Sequence, residues 1–332
     1  AMALSGLGLQ DLGKWGTNLL DKAQENLAPT LGGAATSFQG AKDLIKSGTK
    51  SLKKSVTENL GGFVAGPTHV FSDPRDGERR TVQEVAFLAE GAFGSVVRVA
   101  DQRTGKLYAL KKIACQEGTQ VASTLEAAER EAKVLQSLPA HPHIIGCHGS
   151  IVDTHGGGSA TVRLLMELCP GGHLLDYMDS KQGNLSAREI LEPFAQVTEA
   201  VKFLHSQNPP IQHRDLKIEN VLKGVDGRWK LCDFGSCSTE TVPAVELTRA
   251  RRMKLQEEID KTVTMLYRPP EMADIELNFR KGFEINTQCD IWMLGCILYT
   301  LAFFRHPFQD NASVMAISNA KYFVPAEHPM AR

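Results

Sequence analysis

A chain of 332 residues, 42% apolar and 23% charged, has the length and balance of a folded soluble protein with one large domain or two medium ones. Its formal charge of −1 gives no global pull toward nucleic acid, so no nucleic-acid partner is expected. The longest apolar stretches, such as 291–304, are too short and interrupted to span a bilayer, and no charged-then-apolar leader suggests secretion.

The first elements in chain order are two amphipathic patterns in a Gly-, Ala-, Ser- and Lys-rich arm, residues 1–66. Leu12, Trp15, Leu19, Ala23 and Leu27 recur at helical spacing until Pro29. Phe38, Ala41, Ile45, Leu52, Val56 and Leu60 form a second stripe, with Lys42, Lys46, Lys50, Lys53 and Lys54 mostly off it. Such a stripe suits an anionic membrane surface; it equally suits a tail or a helix packed on the rest of the protein. Residues 67–80 read as a polar linker punctuated by Pro and Gly.

From residue 81 the pattern turns β-like, over 82–90, 95–100 and 107–113, with one helix-like segment at 122–138 and another strand at 162–167. Between the first two strands, Ala89, Gly91 and Gly94 form a loop whose backbone can close over phosphates, although Ala89 stands where a third glycine is usual. Lys111 lies inside an apolar strand, where an ammonium needs a carboxylate, and Glu131 is the best candidate. The alternative is a lysine at a strand edge. Residues 164–172 pass from an apolar strand into a breaker-rich connector, a hinge over 167–172 between a lobe at 81–166 and a second at 173–332. The main chain at Glu167 and Cys169 can meet an adenine edge there, with Met166 behind it.

Helical patterns dominate the second lobe, notably 187–206 and 289–304. Between them lies His213-Arg214-Asp215-Leu216-Lys217-Ile218-Glu219-Asn220, followed by Asp233-Phe234-Gly235. A transferring phosphoryl group needs an aligned nucleophile and compensation for charge on its oxygens. Asp215 is placed to accept or orient a hydroxyl proton and Lys217 to face the γ-phosphate, while Asn220 and Asp233 are hard oxygen ligands for Mg²⁺. Val96, Ala109 and Leu222 are expected to sandwich the adenine of ATP. The seven cysteines, at 115, 147, 169, 232, 237, 289 and 296, contain no Cys-x-x-Cys pair and read as reduced thiols in a cytosolic setting.

Lys111, Glu131, the His-Arg-Asp loop, Asp233-Phe234-Gly235 and Pro269-Pro270-Glu271, in this order, resemble the eukaryotic protein kinases. Lys217, and Thr264 three residues before Tyr267, resemble the serine/threonine class, in which that threonine steadies the catalytic aspartate. Leu107-Tyr-Ala-Leu-Lys-Lys112, Pro209-Pro-Ile-Gln-His-Arg-Asp-Leu-Lys-Ile-Glu-Asn220, Leu231-Cys-Asp-Phe-Gly-Ser236 and Cys289-Asp-Ile-Trp-Met-Leu-Gly-Cys-Ile-Leu-Tyr299 are similar to the numb-associated kinases. That family includes the adaptor-associated and cyclin-G-associated kinases, which phosphorylate threonine in clathrin-adaptor subunits.

The resemblance covers roughly residues 80–328. It implies an α+β, bilobal protein-kinase fold with a β-rich N-lobe and a helical C-lobe, use of ATP and Mg²⁺, and a protein substrate such as a clathrin-adaptor subunit. A cytoplasmic location, peripheral on vesicle or plasma membranes, is expected; the arm, residues 1–66, has no counterpart in that family, and membrane contact through it rests on its own stripe. Asp290 is expected to brace the catalytic loop, and an extra helix is expected within 272–288. Arg214 is a natural partner for a phosphate on the activation segment. After a strand-like 321–325 the C-lobe reads as incomplete, lacking its last helices, with poor solubility or activity expected. Two rival readings are a non-catalytic scaffold of kinase fold and a membrane-binding module worked by the arm.

Overall fold

Alternating burial along six segments builds an antiparallel sheet in the order β1-β2-β3-β4-β6-β5. The computed structural model describes residues 66–75, 77–91, 94–115, 121–155, 159–243 and 247–325. The strands are β1 (Thr68–Ser72), β2 (Arg79–Gly91), β3 (Gly94–Asp101), β4 (Leu107–Cys115), β5 (Cys147–Thr154) and β6 (Ala160–Glu167). The two stripes expected in the arm lie outside the described residues, as do Ala92 and Phe93 at the loop tip.

Residues one apart on a strand point to opposite faces, and β4 uses both. Tyr108 and Leu110 enter a small core with Phe71, Val82, Val97, Val99 and Leu165. Ala109 and Lys111 face the other way. Helix α1 (Val121–Ser137) buries Ala128, Glu131, Ala132 and Leu135, a three-and-four spacing that lays one face of the helix on the sheet.

Residues 67–80 are not merely a linker: β1 pairs with β2 from Thr68↔Gln83 to Ser72↔Arg79. The sheet then curls until β1 meets β5, closing the roof of the lobe through side chains. Asp73 accepts hydrogen bonds from Arg75 at 3.0 and 2.9 Å, and His148 of β5 lies 3.3 Å from its carboxylate. Arg75 also reaches the Cys147 carbonyl. Gly149 has φ +146°, and a Cβ there would sit 3.1 Å from both the Phe71 side chain and the Ser72 carbonyl. The dihedral calls for glycine at this closure, and a Cβ would also press both neighbours back by a few tenths of an ångström.

The second lobe is helical: α2 (Leu174–Ser180), α3 (Ala187–His205), α4 (Arg249–Thr262), α5 (Pro270–Ala273), α6 (Ile275–Arg280), α7 (Gln288–Phe303) and α8 (Val314–Ser318). Helix α3 starts at a reciprocal cap, Ser186 with Glu189, and buries Ile190, Val197, Val201 and Leu204. Helix α7 is the pillar of the lobe, with Cys289, Asp290, Met293, Ile297 and Leu301 all inaccessible to solvent. A short hairpin, β7 (Val221–Lys223) and β8 (Trp229–Leu231), carries the chain between Asn220 and Asp233.

Helix α6 falls in the stretch where an extra helix was expected, and α4 is an addition the sequence pattern did not announce. The strand expected at 321–325 does not form: the Phe323 carbonyl accepts from the Tyr299 hydroxyl, and Tyr322 packs edge-on against Tyr299. Among the described residues, no helix is long and apolar enough to cross a membrane.

Candidate active site

Three charged side chains from separate elements meet beneath the sheet. Lys111 Nζ of β4 lies 2.9 and 2.7 Å from the two carboxylate oxygens of Glu131 on α1, and 3.2 Å from Asp233 Oδ1. Burial disfavours the Lys111 ammonium, but Glu131 and Asp233 outweigh it and raise its pKa. The strand-edge alternative for Lys111 is thereby excluded. Asp233 sits at φ +64°. Burial pushes its carboxyl up, yet Lys111 and then Lys217 prevail and keep it ionised. Phe234 is fully buried, 5.0 Å from the His213 ring between centroids, which fixes the turn in which Asp233 faces the cleft.

Asp215 is 5% exposed, and both of its oxygens are engaged. Oδ1 accepts from the Thr264 N–H (3.1 Å) and hydroxyl (2.8 Å). Oδ2 accepts from Lys217 Nζ (2.7 Å) and Asn220 Nδ2 (3.2 Å). Lys217 also donates to Thr264 Oγ1 at 2.8 Å, so the threonine joins base and lysine. Burial lowers the Lys217 pKa, but the Asp215 carboxylate more than offsets it.

The catalytic loop hangs from α7: Asp290 accepts from the amides of His213 and Arg214, each at 2.8 Å, and lies 2.7 Å from His205 Nε2. Desolvation keeps His213 neutral. Its Nε2 then donates to the Cys232 carbonyl at 3.2 Å while Nδ1 accepts from the Asp215 amide at 3.4 Å.

The expected nucleotide walls also converge. Val96 stands opposite Lys111, and Ala109 opposite Met166, so all four share one face of the sheet. Ala89 pairs with Val96 and Gly91 with Gly94 at the root of the loop. A Cβ on Gly94 would lie 1.8 Å from the Lys112 carbonyl, which makes glycine obligatory there. Leu222 bridges to His173 and, with Cys169, packs half-buried against the main core. Glu167 has a structural duty as well: its amide donates to the Gly146 carbonyl (2.8 Å) and its carboxylate pairs with Lys230 (3.2 Å).

Asn220 spends its amide N–H groups on Asp215, donating to its main-chain carbonyl at 2.9 Å, which leaves its side-chain oxygen as an acceptor. That oxygen and the cleft-facing half of Asp233 are a hard-oxygen pair suited to Mg²⁺, which takes few protein ligands and completes its shell with phosphates and water. Among the described residues no three His, Cys, Asp or Glu side chains gather as a denser metal cage.

Two further side chains tether α4, and of these Arg268 was not singled out beforehand. Arg268 closes the C-terminal end of α4, donating to the Val263 carbonyl (3.0 and 2.8 Å) and the Asp260 carbonyl (3.2 Å), with a further bond to the Asp260 carboxylate. Ser236, directly after the Asp-Phe-Gly turn, donates to the Thr262 carbonyl at 2.7 Å. These bonds moor α4 to the Asp-Phe-Gly turn. The pair Leu255 and Ile259, four apart and both buried, was the available signal for the helix.

Comparison with known proteins agrees with this geometry. Residues 82–327 match the family model described as protein kinase domain. A probable serine/threonine-protein kinase of Dictyostelium discoideum is 39% identical over 279 residues, covering 82% of this chain and 33% of the relative. In Schizosaccharomyces pombe, the protein kinase domain-containing protein ppk38 is 36% identical over 76% of this chain and 38% of its own length. Serine/threonine-protein kinase ppk30 of the same yeast is 37% identical over 70% and 24%. The chain thus spans well under half the length of these curated relatives. With the lysine, the paired glutamate, the aspartate loop and the Asp-Phe-Gly turn assembled over the matched residues, the chain belongs to the protein kinase family.

Proposed function

We propose that this chain is a serine/threonine protein kinase that moves the γ-phosphoryl group of ATP to protein hydroxyls. The observation that carries the reading is that Lys111, Glu131 and Asp233, from distant parts of the chain, meet beside the Asp215 and Asn220 pair, with Lys217 bonded to Asp215 and its charge acting on Asp233. Lys111, held by Glu131, meets phosphate oxygens of the nucleotide. Asp233 and Asn220 would hold Mg²⁺, which when bound would supply positive charge to offset that of the transferring phosphate. Asp215, fixed by Thr264 and Asn220, orients the substrate hydroxyl and takes its proton as the new O–P bond forms. The bond from the γ-phosphorus to the bridging oxygen breaks and ADP leaves, while Lys217 faces the transferred group. Val96, Ala109, Leu222 and Met166 enclose the adenine, whose edge meets the main chain at 167–169.

We further propose membership of the numb-associated kinases, with clathrin-adaptor subunits as substrates and action at vesicle or plasma membranes from the cytoplasm. The motifs at 107–112, 209–220, 231–236 and 289–299 support this. One experiment addresses activity and substrate together: Mg-ATP-dependent phosphate incorporation into clathrin-adaptor subunits and into a generic basic protein, compared with Asp233→Asn. Wild type is expected to label threonine in the adaptor preferentially, and the variant to lose activity by at least about a hundredfold. Equal labelling by both proteins refutes catalysis at this cleft; labelling of the generic protein alone refutes the adaptor assignment.

For residues 1–66 we propose peripheral membrane contact through the apolar stripe ending at Leu60, with its lysines on anionic headgroups. In liposome flotation, the full chain should partition with anionic vesicles and an Ile45→Glu, Leu52→Glu variant should not. Equal partitioning rejects the contact.

A further inference from the structure

Arg214 is the residue by which a kinase commonly captures a phosphate on its activation segment, since phosphorylation orders such segments through new arginine–phosphate pairs. In this protein that arginine is already occupied. It is buried, at φ +66°, with its amide on Asp290. Its Nε donates to Gln212 Oε1 at 2.9 Å and its Nη2 donates to the Glu240 carbonyl at 2.8 Å. Gln212 Nε2 donates to the same Glu240 carbonyl at 3.0 Å. Below this triangle the two segments pair as strands do, Gln212 N–H to the Ser238 carbonyl at 2.8 Å and Ser238 N–H to the Gln212 carbonyl at 3.0 Å. Gln212 itself is 1% exposed.

We propose that Gln212 is a positioning residue: its side-chain amide joins Arg214 to the activation-segment backbone at Glu240, and so performs internally the ordering that a segment phosphate performs elsewhere. The inference rests on the kinase reading above. The chemistry of the position is specific. Arg214 offers only donors and the Glu240 carbonyl only acceptors, so the side chain between them must present one acceptor and one donor. A primary amide does both, and turning it over would set donor against donor and acceptor against acceptor. A carboxylate at 212 would satisfy Arg214 and oppose the carbonyl. An aliphatic side chain would leave a buried guanidinium N–H without its acceptor, the costly half of a broken hydrogen bond. The clamp lies three to five residues after Gly235, so it fixes the segment directly beyond the Asp233 turn, and Asp215 shares its loop with Arg214.

The test compares Gln212→Ile and Gln212→Glu with wild type by peptide-phosphorylation kinetics, by hydrogen exchange over residues 236–243, and by activity before and after phosphatase treatment checked by mass spectrometry. Gln212→Ile should lower kcat roughly tenfold while the KM for ATP stays within about twofold, and should speed exchange in 236–243. Gln212→Glu, which keeps the Arg214 contact, should fall between. Phosphatase-treated wild type should keep its activity. Wild-type kcat and exchange in Gln212→Ile would overturn the proposal, as would loss of activity on dephosphorylation, which decides the matter even if Gln212→Ile fails to fold. Absence of any Mg-ATP-dependent incorporation by wild type would sink the kinase reading instead, and the exchange comparison would still report on the clamp.

Discussion

Glu271 makes no ion pair among the described residues, and burial pushes its pKa from the ordinary 4.5 up to about 7. The unfolded chain releases this proton near pH 4.5, whereas the folded chain keeps it to about pH 7. The contribution to stability is therefore intact below the lower value and lost as pH climbs through the window, by at most about 3 kcal/mol. Glu271→Gln removes the ionisation. In urea titrations, wild type and variant should differ least below pH 4.5, the variant should gain from there to about pH 7, and the gap should level off above that. A gap that does not widen with pH would mean that a cation faces Glu271. Asp290 titrates in the opposite sense: burial raises its pKa, but the His205 hydrogen bond and positive charge, with the amide donors above, hold it low. The carboxylate that carries the catalytic loop therefore stays charged where Glu271 does not.

Among elements, β1 does more than its five residues suggest. Phe71 is 1% exposed and plugs the small core beneath the roof, against Val82, Val99 and Leu110. Truncating such a side chain leaves a cavity, so Phe71→Ala should cost roughly 3–5 kcal/mol. Hydrogen exchange should localise the damage to β1, β2 and β5, leaving α7 protected; uniform loss of protection would argue that the lobes unfold as one. Sequence pattern missed β1 because Pro67, Pro74 and Gly77 fall on either side of it and read as loop chemistry. It missed β5 because Gly149 interrupts the alternation at a register shift. Helix α4 escaped for a different reason. Its first turns carry Arg249, Arg251, Arg252 and Lys254, the wrong sign for a helix N-terminus, and only Leu255 and Ile259 are buried. Tertiary bonds from Arg268 and Ser236 hold what the local sequence does not favour.

Across the whole molecule, the cleft was the most legible part and the roof the least. The chemistry explains the difference. Phosphate, metal and a hydroxyl proton each call for particular functional groups, so Lys111, Asp215, Asn220 and Asp233 stand out by type and order as candidates, and the structure brings Lys111 to Asp233 and Asn220 to Asp215. Glu131 was legible because a buried lysine requires a carboxylate. Closure of the sheet depends on shape instead, on a glycine beside a phenylalanine and an aspartate shared by Arg75 and His148, and such fits leave no periodic trace.

That closure has a mechanical side. The chain enters the lobe at Gly66, whose amide bonds to the Glu84 carbonyl, and β1 then runs along β2 through five register pairs. Tension drawn along β1 from its leading end loads those rungs together, in shear, instead of unzipping them singly. The first strand is thus a handle: a pull on its leading end must break those rungs together before the roof can open.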